Sequence, residues 1–132
     1  MTPDDEFLRA FFALELPNSE FHHRDHLRLA WLAVRRHGGN AAEEVVTAGI
    51  QRFAEHYSHG PVYHDTITRF WVRLVAHAVS HRPEIVDFDE FLAAYPPLLD
   101  KSTPLRHWSR EAMFAPDARA AWRDPDLVAL PF

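Results

Sequence analysis

The stretch Phe21-His-His-Arg-Asp-His-Leu-Arg-Leu-Ala-Trp-Leu-Ala-Val-Arg-Arg-His-Gly-Gly39 decides the fold. Leu27, Ala30, Trp31 and Val34 recur at helical spacing, with charged residues between them, and the glycine pair suits a helix end. The spacing predicts a helix over 22–37. Working outward, Thr2 suits an N-cap, Pro3 a first helical position, and Asp4, Asp5 and Glu6 a helix dipole, so a helix over 3–14 precedes it. Asn40, with Glu43 three residues later, has capping-box spacing and opens a third helix to Tyr57. Ser58-His-Gly-Pro61 breaks that helix, and a fourth is expected over 64–80, ended by Pro83. Shorter helices are expected after Asp87, near 105–113, and from Pro116 to Trp122. The tail 124–132 is too apolar to be free and should lie across the bundle. Period-2 alternation is nearly absent, which argues against strands. The expectation is an all-α single domain over residues 1–132, an up-down bundle of four main helices with short C-terminal helices packed on it.

Composition narrows the function classes. Hydrophobic residues make up 47% and aromatics 13%, enough for a packed core and against disorder. The absence of Cys excludes disulfides, thiolate catalysis and Cys-based zinc sites. No run approaches the roughly 20 apolar residues of a membrane span. A net charge of −5 gives no general footprint for nucleic acid or an anionic membrane. The acidic start is unlike a signal peptide, and the absence of Cys makes a reducing cytoplasm the expected location.

The ten histidines carry the functional question. On a helical wheel, His23 lies within about 20° of the centre of its helix's apolar stripe, His26 within about 80°, and His22 about 120° away. His64 lies about 40° from the centre of the fourth helix's stripe. Short connections make consecutive helices antiparallel, so the second and fourth run parallel, which brings His23, His26 and His64 to one end. Positive helix N-termini favour neutral imidazole, the form a metal binds. The arrangement is therefore expected to hold one divalent transition metal, Zn, Fe, Cu or Ni, with open positions for chemistry. Hydrogen-bonded core histidines and a metal-free polar pocket are the plainer readings of the same residues.

Around that centre, Asp65, Tyr63 and Glu15 are the candidate acids and bases. Arg24, Arg69, Thr66 and His22 are the candidate contacts to a small polar or anionic substrate. The arginines read equally as solvated faces. The segment Arg106-His-Trp-Ser-Arg-Glu111, with Asp100-Lys101 upstream, reads as a packed helix with surface ion pairs or as a lid.

Two resemblances accompany these residues. Phe-x-His-x-x-His-Leu at 21–27, Tyr63-His64-x-Thr66-x-Thr68, and the closing Ser109–Pro131 pattern resemble an uncharacterised family of small helical bacterial proteins. That resemblance implies only that the segments belong together. His26, His64-Asp65 and Asp100, in that order, resemble the metal-binding pattern of HD-domain phosphohydrolases, which implies a metal-dependent phosphohydrolase. The pair His64-Asp65 departs from that pattern by opening a helix rather than lying inside one. The leading expectation is a metal-dependent enzyme, a hydrolase, lyase or oxygenase. The alternatives are the phosphohydrolase and a non-enzymatic helical binding or dimerisation module, with a homodimer through exposed aromatics.

Overall fold

The computed structural model describes all 132 residues and is all-α. Three long helices form the core: α2 (His23–His37), α3 (Gly39–His56) and α4 (Asp65–His81). The first helix, α1 (Pro3–Phe12), is shorter than expected and packs against α3. Thr2 caps it, accepting from the Asp5 amide, while the Asp5 carboxylate accepts from the Thr2 amide. Phe11 stacks on Phe53 at 5.2 Å. Gly49 permits that approach, since a Cβ there would sit 3.0 Å from the rings of Phe11 and Phe12.

Between α2 and α3 a single residue turns the chain. Gly38 ends one helix and precedes the next with φ +82°, a left-handed value that glycine adopts without strain. As a result α3 begins at Gly39. The expected Asn40–Glu43 capping box is absent, and Glu43 pairs instead with Arg73 of α4.

Helix α2 is buried on more sides than its wheel predicts. Leu29, Leu32 and Ala33 are buried along with Leu27, Ala30, Trp31 and Val34. Flanking segments cover its second face: Trp31 packs on Phe88 and Phe91 of α5 (Phe88–Ala94), with centroids at 5.4 and 5.8 Å. Asp87 caps α5 by accepting from the Glu90 amide, and the helix follows it as expected.

A 3-10 turn over Pro96–Leu99 then returns the chain to the start of α2. The expected helix near 105–113 is split. A 3-10 turn covers Thr103–Arg106, and α6 (Arg110–Met113) starts afresh with Ser109 as its cap. Between them Trp108 is fully buried, its indole N–H donating to the Arg123 carbonyl at 2.9 Å. Helix α7 (Pro116–Ala120) packs on α4. The tail crosses the bundle as expected: the Leu127 amide donates to the His107 carbonyl, and Asp126 accepts from Ser109. No helix is long and apolar enough to cross a membrane.

Candidate functional site

Gly39 lies against Ala76, and Glu43 pairs with Arg73, so α3 and α4 run antiparallel. Phe21, just before α2, packs on Phe53 near the end of α3. The N-termini of α2 and α4 therefore meet the C-terminal half of α3 at one end of the bundle. A cavity of about 450 Å³ opens there. Ile50, Ala54, Ile67 and Trp71 supply much of its apolar wall, and nine of its fourteen lining residues are hydrophobic. His23, His26 and His64 all reach it, with Tyr63, Thr68 and Lys101. Val62 and Lys101 are its exposed members and mark the mouth.

The three imidazoles have different surroundings. His64 is buried and is the N-cap of α4: its Nδ1 accepts from the Ile67 amide at 3.1 Å. Its Nε2–H donates to the Met113 carbonyl at 2.5 Å, so both ring nitrogens are committed to backbone. These bonds fix the neutral Nε2–H tautomer, and burial holds its pKa below the usual imidazole value.

His23 donates from Nε2 to the Leu98 carbonyl at 2.8 Å and meets the Trp71 ring edge-on at 4.6 Å. Burial lowers its pKa, with Lys101 adding to the effect against the opposing Leu98 bond. His26 stacks on Phe21 at 4.0 Å, and no protein group bonds either of its ring nitrogens. Burial, with His23 and Lys101 nearby, pushes its pKa down to about 4.

These bonds correct the metal expectation. The imidazoles share a cavity but not a coordination point, and no three His, Cys, Asp or Glu side chains are placed to hold a metal ion. A ligand nitrogen must offer its lone pair to the ion, whereas the one lone pair of His64 accepts an amide and its N–H is tied to a carbonyl. The expected centre of His23, His26 and His64 for Zn, Fe, Cu or Ni is thus not formed. The metal-dependent enzyme, whether hydrolase, lyase or oxygenase, falls with it. The HD-like phosphohydrolase fails for the same reason. Asp65 accepts from Tyr63 Oη at 2.9 Å and Arg69 Nε at 2.8 Å, and Asp100 accepts from Ser102 and Arg106.

The other candidates scatter. Tyr63 lines the cavity, but its hydroxyl donates to Asp65, and burial together with that bond raises its pKa. Arg69 bridges Asp65 and Glu44 outside the cavity. Thr66 is buried, with its Oγ1 2.6 Å from the Ala118 carbonyl and accepting from the Arg123 amide at 3.1 Å. It fastens the C-terminal segment rather than facing a ligand. Glu15 is exposed and paired with Arg9. Arg24 pairs with Asp89, its guanidinium 4.9 Å from the Phe88 ring. His22 is an exposed N-cap whose amide donates to Asp25.

The charged residue of the lining, Lys101, is not one of the candidates drawn from the sequence. Lys101 enters no ion pair and no side-chain hydrogen bond, because its neighbour Asp100 bonds Ser102 and Arg106. The available signal was compositional: Lys101 is the sole lysine among fourteen basic residues. No family model, curated protein or solved structure matches this chain.

Proposed function

We propose that this chain is a non-enzymatic helical binding module whose cavity between α2, α3 and α4 holds a small, mostly apolar molecule. The carrying observation is the cavity itself. About 450 Å³ of space behind a mostly hydrophobic wall falls within the usual range for small-molecule sites. The polar groups around it support binding over turnover. Nucleophilic or acid–base chemistry needs a reactive group paired with a partner across open space. Here Tyr63, Thr68 and His64 bond to carboxylate or backbone partners within the protein.

The reading is tested with a neutral fluorescent probe. 1-Aminoanthracene emission, sensitised by Trp71 in the wall, should saturate at one probe per chain. At about 30 Å³ per water-sized unit, the cavity admits roughly fifteen heavy atoms. At about 0.4 kcal/mol per atom that corresponds to ~6 kcal/mol, a Kd of about 40 μM. Uptake should persist in a chelator and disappear in Ala54→Trp, which fills the cavity. No saturable uptake, or uptake indifferent to Ala54→Trp in a folded variant, refutes the proposal.

A further inference from the structure

We infer that the cavity selects an amphipathic monoanion, with a carboxylate head at Lys101 and His26 by the mouth and an apolar body among Ile50, Ile67 and Trp71. The inference rests on the binding-module reading and adds the chemical class of the ligand. Its first support is charge. Among the lining residues Lys101 carries the only formal charge of fixed sign, and no Asp or Glu is present. On a protein with net charge −5, that cation is a local exception. It also has no carboxylate partner; Arg35, Arg52, Arg110 and Arg119 share that lack, but none of them lines the cavity.

The second support is His26. Its ring is held in plane by Phe21, and its nitrogens have no protein partner. No buried side-chain nitrogen or oxygen lacks a hydrogen-bond partner, so the unpartnered ring nitrogens of His26 are accessible, and in the cavity that the residue lines they can bond what enters. An ammonium and one imidazole N–H match the two oxygens of a carboxylate. A phosphate dianion would leave a charge uncompensated beside an apolar wall, which is costly.

The third support is placement. Lys101 stands at the exposed mouth while the apolar residues lie deeper, so the head stays near water as the body is buried. Room for roughly fifteen heavy atoms fits an alkanoate or arylalkanoate of medium length. The shared chemistry is one carboxylate on one apolar body.

The experiment is isothermal titration of decanoate and decan-1-ol, each below its aggregation concentration, into the full chain and into Lys101→Met and Lys101→Arg. Decanoate should bind the native chain about tenfold more tightly than it binds Lys101→Met, the loss expected of one charge-assisted hydrogen bond near solvent. Lys101→Arg should retain most of that preference, and decan-1-ol should bind all three chains alike. Equal decanoate affinity in the native chain and Lys101→Met overturns the anion inference, as does a native chain that prefers the alcohol. Either result leaves the binding module standing if 1-aminoanthracene is still taken up. Failure of decanoate, decan-1-ol and the neutral probe alike overturns both.

Discussion

Lowering the pH from 7 to 5 should destabilise this protein measurably through His26. In the folded chain burial holds that imidazole neutral, with a pKa of about 4 against the ordinary 6.5. The unfolded chain binds a proton near 6.5, the folded chain only near 4. The stabilising contribution of the neutral ring is therefore fully present above pH 6.5. It declines as pH falls and is gone below about 4, where both states are protonated. Each pH unit inside that window costs about 1.4 kcal/mol, so at pH 5 the loss is ~2 kcal/mol. Against the 5–15 kcal/mol typical of a folded domain, that is a large fraction. Urea unfolding followed by far-ultraviolet circular dichroism, at pH 7 and pH 5, on the native chain and on His26→Leu reads it directly. The native chain should lose ~2 kcal/mol more than the variant between the two pH values. The variant will retain some dependence, because burial also depresses His23 and His64. Equal losses in the two proteins would refute the reasoning and show that His26 is hydrated in the folded state.

His64→Ala removes the α4 cap and the tie to Met113 and should cost about 2–3 kcal/mol by thermal or urea unfolding. His64→Asn keeps a capping oxygen and should recover about 1 kcal/mol of that; no recovery would mean that the cap is not what the ring supplies. Thr66→Val leaves the shape nearly unchanged but strips the bonds to Ala118 and Arg123, at about 1–3 kcal/mol. Limited proteolysis should then cut first within 114–132, and an unchanged cleavage pattern would argue against Thr66 as the fastening point.

Much of the fold is legible because helices advertise themselves locally. The Thr2 cap, the Leu27–Val34 stripe and the Asp87–Glu90 cap all depend on residues within a few positions of one another, and all stand in the structure. The Asn40–Glu43 motif misled because Gly38, with its positive φ, could start α3 earlier and leave Glu43 free for Arg73. At 105–113 the helical periodicity was real, but Ser109 caps a new start, so one expected helix became two short pieces.

The site was legible only as far as direction goes. A helical wheel gives the side on which His23, His26 and His64 point, and the antiparallel order of the long helices gives the end at which they gather. Neither gives hydrogen-bond partners distant in sequence. His64 meets Met113, 49 residues on, and His23 meets Leu98, 75 residues on. The Met113 carbonyl and the Ile67 amide together occupy both nitrogens of His64 and remove it as a ligand, while the Leu98 carbonyl fixes the orientation of the His23 ring. In the sequence Lys101 reads only as half of an Asp100-Lys101 pair, because its meaning is negative: a cation without a partner is visible only once every neighbouring carboxylate has been placed.

The fastening of α4 has a consequence for how the chain is made. His64 and Thr66 need Met113, Ala118 and Arg123, which follow them by 49 to 57 residues. At about 5–20 residues per second, a ribosome takes roughly 3–11 s to deliver them. During that interval the nascent polypeptide carries an unfinished wall of Ile67 and Trp71, with the capping ring of His64 and the hydroxyl of Thr66 still lacking their distant partners. Slow codons between positions 66 and 123 would lengthen this exposure, and a holdase chaperone would find its apolar target there.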